Sequence, residues 1–461
     1  MASDAVPGRA HEELPRVLTA TNALAIVVGI IIGSGIFLVP REMMAAVGSS
    51  RMVYAVWVAG GLLSLFGAMS YAEVAAMRPR VGGEYAFLYD AYGPLTAFLY
   101  TWTWTTIAKP ASIATIAAGL MRILGTFPMF AFLDRVALPH LLWSQVMAIV
   151  ATWLITGMNI VSTRDSAQVQ TLLTWLKVVM IVVIAGFCFA SARYGNWHNF
   201  SSDFHGARGG FAGFMIALIA ALWAYDGWSD VSQLAGEVIR PQRSLPVALI
   251  GGVTIVGVLY MLTNAAIQYV MPSAAIAASE RPATDALQLV AGSIGAGLVA
   301  FGMAVSIGAT FVGSSLSGAR VPFAAARDRL FPSVLGQIHP RFKTPWVSLL
   351  LQAILSSLLL LAIGKFQALF SLAIFSEWLF YALTAATVFV FRVREPDVYR
   401  PYRVTGYPVV PALFILAALV LLVFSFISEP RESIAGALVI LCGVPLHYLF
   451  QRGNAHRDKA I

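Results

Sequence analysis

Charged side chains are scarce in this chain. Only 11% of its 461 residues are Asp, Glu, Lys or Arg and 59% are hydrophobic, whereas a soluble domain carries about 25% charged residues. That shortage excludes an ordinary soluble fold. Cysteine is nearly absent as well. Cys188 and Cys442 both fall inside apolar runs, so no disulfide framework is legible and both read as packing residues. Of seven histidines only His447 lies inside an apolar run, His140 standing at the first position of another, and no HExxH or Walker-type loop occurs. With no nucleophile–base pattern and no metal-ligand spacing, the chain reads as a non-enzyme without metal or cofactor. The opening "MASDAVPGRAHEELPRVLTA" lacks the apolar core and cleavage site of a signal peptide and reads as a short polar tail.

What the chain has in plenty is apolar runs. Twelve occur, near residues 20–40, 53–77, 88–121, 140–161, 167–192, 211–236, 246–271, 295–326, 345–363, 366–391, 408–427 and 433–450. Most approach the roughly 20 residues that a hydrocarbon layer about 30 Å thick demands of a helix. The expected fold is therefore all-α and integral to the membrane, with twelve transmembrane helices. The net charge of +8 is spread through short connections rather than gathered in a stripe, which argues for lipid and against nucleic acid as the partner. Of the 30 Lys and Arg, 18 fall on the side of the two termini and 9 on the other, with Lys109, Lys177 and Arg320 inside spans. By the positive-inside rule both termini are expected in the cytoplasm, and the chain in the cell inner (plasma) membrane.

Two spans are interrupted. The first carries Gly33-Ser34-Gly35 within "IIIGSGIFLVP", and the sixth carries Tyr225-Asp226-Gly227-Trp228 within "FMIALIAALWAYDGWSDVSQLAGEV". A glycine pair alone also serves as a packing notch between helices. Two breaks, one opening spans 1 to 5 and the other opening spans 6 to 10, instead match an inverted-repeat transporter whose discontinuous helices meet at a binding site. Free amides at a half-helix start favour an anion and free carbonyls at a half-helix end favour a cation, so the pair suits a zwitterion. A channel needs a continuous polar pore, which the paired breaks do not provide.

The stretches "VVGIIIGSGIFLVP", "GGEYAFLYDAYGP", "IAKPAS", "LWAYDGWSDVSQLAGEVIRPQRSLPVAL" and "RPYRVTGYPVVP" together resemble the L-type amino acid transporter branch of the amino acid-polyamine-organocation superfamily. The resemblance runs from about residue 16 to 450. It implies the leucine-transporter-type fold: a tail over 1–19, inverted repeats over 20–192 and 211–391, two further helices over 408–450 and a tail over 451–461. It implies sodium-independent exchange of L-amino acids by alternating access, with uniport or proton-coupled symport as the alternative. It also implies that Ile31, Gly33, Ser34 and Gly35 hold the substrate's α-carboxylate, and that Trp223 gates the substrate. Asp226, Gly227 and Trp228 would line the unwound part of span 6. Human members pair with a glycoprotein through a cysteine between spans 3 and 4. The corresponding "RILGTFPMFAFLDRVALPH" has none, so no disulfide-linked heavy subunit is expected and a stand-alone microbial-type member is.

Ionisable groups within spans mark pathways or partners. Lys177 either snorkels to the interface or, as the resemblance implies, stands where sodium-coupled relatives hold sodium, with Thr310 and Ser314 as hydroxyl neighbours. Asp226 either caps the second half of span 6 or faces the cavity, which leaves open cationic as well as neutral substrates. Glu377 is either a structural acid or an outer, proton-sensitive part of the cavity. Lys109 reads as support for carbonyls freed by Pro110 or for a neighbouring helix, and Arg320 as an interfacial anchor. Glu73, Glu237 and Arg240 are candidate cytoplasmic-gate residues, with Arg78, Arg80 and Arg243 as further cations and ordinary solvated pairs as the alternative.

Overall fold

A computed structural model describes residues 13–139, 141–362, 366–428 and 430–458, with side chains at 366–376, 428, 432 and 452–458 left aside. The first twelve residues and the last three of the expected tails, and Lys365, lie outside the described residues.

The first span is two helices. α1 (Ala20–Ile31) is capped by Thr19, whose side chain accepts from the Asn22 amide, and α2 (Gly35–Val47) leaves it at a 42° bend. At about 1.5 Å per residue neither piece alone reaches across a bilayer. α3 (Ser50–Met77) is followed by a short helix, α4 (Glu84–Tyr92), which ends at Gly93 with φ 88°. The third span starts there with α5 (Pro94–Thr103), passes through a π-type turn over Trp104–Ala108 and continues as α6 (Lys109–Leu124). The sequence expectation of a start at residue 88 is thus corrected by the Gly93-Pro94 break, where proline suits a first helical position.

A small hairpin of β1 (Val136–Leu138) and β2 (Leu141–Leu142) interrupts the loop before α7 (Trp143–Val161) and α8 (Thr163–Ala190). The sixth span is again broken: α9 (Gly210–Ala224) and the single turn α10 (Asp230–Gln233) are separated by a non-helical stretch in which Gly227 takes φ +98°. Then come α11 (Pro241–Val270), the short α12 (Ser273–Ala278), α13 (Pro282–Gly318) and α14 (Arg320–Arg327). α13 is kinked at Gly292, whose φ of 60° is open to glycine. The bundle closes with α15 (Trp346–Ala362), α16 (Phe366–Arg394), α17 (Val409–Ser428) and α18 (Pro430–Asp458).

Among the described residues eight helical segments are long and apolar enough to cross a membrane, and the α1–α2 pair makes a ninth. α9 and α15 are shorter apolar helices. Non-helical backbone at such depth persists only where protein or a cavity surrounds it. Here α1 is enclosed by α8, α11 and α13, and α2 lies along α9. Gly29 permits that enclosure, since a Cβ there would stand 2.2 Å from Thr174 Oγ1 on α8.

Candidate functional site: a cavity between two broken helices

The two breaks meet. A Cβ on Gly227 would fall 2.5 Å from Ile30 Cγ2, so this glycine is required both by its positive φ and by the close approach of α1. The Tyr260 hydroxyl of α11 lies 3.1 Å from Ile31 O and 2.6 Å from Ala224 O. One hydroxyl therefore serves carbonyls at the ends of both half-helices, groups that helix geometry leaves without intrahelical partners.

A cavity of about 140 Å³ opens at this junction. One wall is Ile30, Ile31, Gly33, Ser34 and Gly35. The Gly33 amide is turned back onto Ile31 O (2.8 Å), while the Ser34 and Gly35 amides have no main-chain acceptor among the described residues. Those two N–H groups head α2, where amides and helix dipole favour an anion. Trp223, Asp226, Gly227 and Glu377 form the facing wall with Tyr381. Tyr381 donates to Asp226 Oδ1 at 3.0 Å, so Asp226 does not serve as a helix cap; the residue preceding α10 is Ser229.

Deeper in the cavity, Lys109 Nζ donates to Asp230 Oδ2 at 2.5 Å, and Ser317 Oγ reaches the same oxygen at 2.7 Å. Lys109 also stands 4.9 Å from the Trp104 ring centre, within cation–π range. Of the two expected supports, Lys109 thus provides the one to a neighbouring helix, through the Asp230 carboxylate, rather than the one to carbonyls freed by Pro110. Asp230 was missed, although it lies four residues after Asp226 in the same interrupted span.

Lys177 does not snorkel. It is 1% exposed, and its ammonium donates to Gly29 O (2.7 Å), Ile32 O (2.7 Å) and Ser306 O (3.0 Å). The carbonyls released by the end of α1 are gathered by one fixed cation that also reaches α13. Thr310 joins this cradle by donating to Gly29 O at 3.1 Å. Ser306, which donates to Ile32 O at 2.7 Å, had not been singled out. Ser314 lines the cavity instead of touching Lys177, so its pairing with the ammonium is corrected. It sits one helical turn further along α13 than Thr310.

Trp228 is also relocated. It is 2% exposed and packs against Tyr71, Tyr381 and Phe414, behind the cavity rather than in its lining. The positive φ of Gly227 turns the chain between Asp226 and Trp228, sending the indole into the core.

The charge pairs differ from the expected ones. Glu237 pairs with Arg320 (2.8 and 3.1 Å), both fully buried, and Arg320 also donates to Thr163 and Leu316 O. Arg320 is therefore not an interfacial anchor. Glu73 binds Arg392 at 2.8 and 2.6 Å, accepts from the Val404 amide at 2.7 Å and lies 3.4 Å from Arg400. Arg240 is exposed, heads α11 in a left-handed conformation and makes no ion pair among the described residues. Its backbone turn carries its side chain outward. Arg78 and Arg80 bind Asp90, with Glu395 and Asp328 as their second partners. Beside the Glu237–Arg320 pair, Val17 and Leu18 donate to Glu237 O (both 2.9 Å) and Ile239 donates to Leu18 O (2.7 Å), strapping the start of the chain across this end.

Broken helices around a small, two-walled cavity in an apolar helical bundle define a multi-span membrane transporter rather than an enzyme. The amino acid permease family matches residues 18–445. The chain belongs to that family, within the L-type amino acid transporter branch of the amino acid-polyamine-organocation superfamily. It is 31% identical to the serine/threonine exchanger SteT of Bacillus subtilis (strain 168) over 438 residues, covering 94% of this chain and 96% of that one. It is 32% identical to the mouse b(0,+)-type amino acid transporter 1 over 435 residues, 93% and 86% of the two chains. With the human cystine/glutamate transporter it shares 29% over 444 residues, 96% and 87% of the two. Amino acid transport across a membrane is thus the activity of this chain.

Proposed function

We propose that the protein is a sodium-independent exchanger of L-amino acids, neutral and cationic, working by alternating access. The observation that carries this reading is the fixed Lys177 ammonium in the carbonyl cradle at the end of α1. A resident cation that already satisfies those oxygens leaves no vacancy for sodium. The substrate's α-carboxylate would sit on the Ser34 and Gly35 amides beside Ile31 and Gly33, with Trp223 closing over it. Asp226, Gly227 and Glu377 would face its amino group and side chain. The relative named as a serine/threonine exchanger supports the exchange mode.

The same reading assigns 20–192 and 211–391 to two inverted repeats, followed by two further helices within 408–450. It places both termini in the cytoplasm of a cell whose inner membrane holds the protein, and assigns the buried Glu237–Arg320 pair and the Leu18 strap to the cytoplasmic gate. No disulfide-linked heavy subunit is part of it. Uptake of a labelled neutral amino acid into proteoliposomes without sodium tests the proposal. Uptake confined to vesicles preloaded with unlabelled amino acid supports exchange, and equal uptake into empty vesicles refutes it. The second reading, proton-coupled symport, draws on Glu377 in the cavity wall. It predicts accumulation in empty vesicles driven by an imposed proton gradient.

A further inference from the structure

Glu84, the first residue of α4, has no part in the mechanism above. It lies in the connection after α3, outside the membrane-crossing helices. Nonetheless it is fully buried, and neither carboxylate oxygen has a well-formed hydrogen bond. An acid so placed is costly to keep ionised. The hydroxyls of Tyr71 and Tyr100, both buried and likewise without well-formed bonds, face it, as does Ser229.

The charged and titratable surroundings are one-sided. Tyr71 faces Glu84 from α3, Tyr100 from α5, Asp226 and Asp230 from the broken sixth span, and Tyr381 from α16. Lys109 on α6 is already held by Asp230, and Arg320 at the head of α14 by Glu237. Burial, followed by the charges of Asp230 and Asp226, pushes the Glu84 carboxyl up to about 8 against the help of Ser229 and Tyr100.

A hydrogen-bond chain leads to the cavity from Ser229, the hydroxyl that faces this carboxyl. Ser229 Oγ donates to the Tyr381 hydroxyl at 3.2 Å, and Tyr381 donates to Asp226 Oδ1 at 3.0 Å. In that order, with Glu84 protonated, the Ser229 oxygen has lone pairs free for the carboxyl to donate to; with Glu84 ionised the Ser229 hydrogen turns to the carboxylate instead. We propose that Glu84 is a proton-binding site, joined through the hydroxyls of Ser229 and Tyr381 to Asp226 at the substrate cavity. When Glu84 gives its proton to Ser229, the Ser229 proton passes to Tyr381 and the Tyr381 proton to Asp226. Each O–H bond broken is matched by one formed, and the negative charge moves from Asp226 to Glu84.

The site is coupled to the moving part of the fold. Gly82 N donates to Gln233 O at 2.9 Å, and a Cβ on Gly83 would stand 2.4 Å from the Ser232 carbonyl carbon. The turn carrying Glu84 is thus pressed against α10. Loss of the shared proton adds a negative charge to the Glu84–Asp226 pair, beside Asp230 on α10 and Glu377 on α16, which drives this turn and α10 apart.

This inference rests on the transport reading, and the test separates the two. Exchange of a neutral amino acid is measured in proteoliposomes at equal pH on both sides, from about pH 6 to about pH 9.5. The wild-type rate is expected to fall through about pH 8, approaching about tenfold per pH unit above it. In Glu84→Gln the ratio of the low-pH rate to the high-pH rate should collapse toward one. A wild-type profile flat in pH, or a Glu84→Gln profile with the wild-type fall, overturns the proposal while leaving exchange intact. If Glu84→Gln does not fold, Glu84→Asp decides the matter: a shifted midpoint supports the site and an unmoved one overturns it. Absence of exchange in the wild type at every pH would instead refute the transport reading itself.

Discussion

Replacing Lys177 by Met keeps much of the side chain's volume and removes its three donors. Each carbonyl it binds retains another donor or lies in a helix: Gly29 O keeps Thr310, Ile32 O keeps Ser306, and Ser306 O lies inside α13. No acceptor is orphaned, so the relevant scale is the net worth of the bonds. Three bonds at about 0.5–1.5 kcal/mol each give about 1.5–4.5 kcal/mol. Relief from burying an ammonium with no carboxylate partner offsets part of this. A domain stable by about 5–15 kcal/mol survives such a loss. The end of α1, which forms one wall of the cavity, loses its tie to α8 and α13. Lys177→Met is therefore expected to remain folded by size-exclusion profile while exchange falls at least about tenfold, the equivalent of 1.4 kcal/mol in the closed-cavity geometry. Lys177→Ala should behave likewise but acquire partial rescue by sodium, since it opens a cradle of carbonyl and hydroxyl oxygens at a half-helix end. Exchange at wild-type rate in Lys177→Met would refute the reasoning.

The other predictions follow from the same geometry. Asp226→Asn should reduce arginine or lysine exchange by about 1–3 kcal/mol, the scale of a charge-assisted hydrogen bond, while changing alanine or leucine exchange less; an equal loss for both classes counts against a substrate role. Arg320→Met strands a buried carboxylate and should cost about 3–5 kcal/mol of stability in thermal melts, with much of it recovered by adding Glu237→Leu. A lone Arg320→Met melting like wild type would contradict the buried pair. Gly227→Ala meets both a positive φ and Ile30, so uptake should be lost or the protein destabilised by roughly 1–3 kcal/mol; normal uptake and melting would show that the two breaks do not touch. Glu84 also links pH to folding. Its native carboxyl titrates near 8 against 4.5 for the ordinary group, so the folded state binds the extra proton and stability declines as pH rises from about 5 to about 8. Glu84→Gln should flatten that part of the stability curve.

Much of the site was legible because its chemistry sits in rare residues. A glycine pair and an Asp-Gly in apolar helices stand out against any hydropathy profile, and a lysine in the middle of "TLLTWLKVVM" has few innocuous readings. Partners were not legible in the same way. Glu237 and Arg320 are separated by 83 residues and Glu73 and Arg392 by 319, and nothing local to any of these four residues names its mate. Nearby arginines were the natural guesses, yet the left-handed turn at Arg240 points its side chain outward. Ser306 and Tyr260 gave no signal, since a serine or tyrosine in a membrane helix is common. Only the approach of α1 to α13 and α11 brings them to the carbonyls at the break.

By itself, then, the sequence determined that the chain is a helical membrane protein, where two of its spans break and that charges such as Lys177 and Asp226 fall within apolar spans. These follow from local rules: apolar length against bilayer thickness, glycine against helix continuity, and the cost of an unpaired charge in a medium without water. Which charges neutralise one another, that Trp228 belongs to the core and not the cavity, and that Glu84 faces Asp226 through two hydroxyls were decided by tertiary structure. Electrostatic and hydrogen-bond partners are fixed by distances of 2.5–3.5 Å in space, and sequence separation places no bound on them once helices pack.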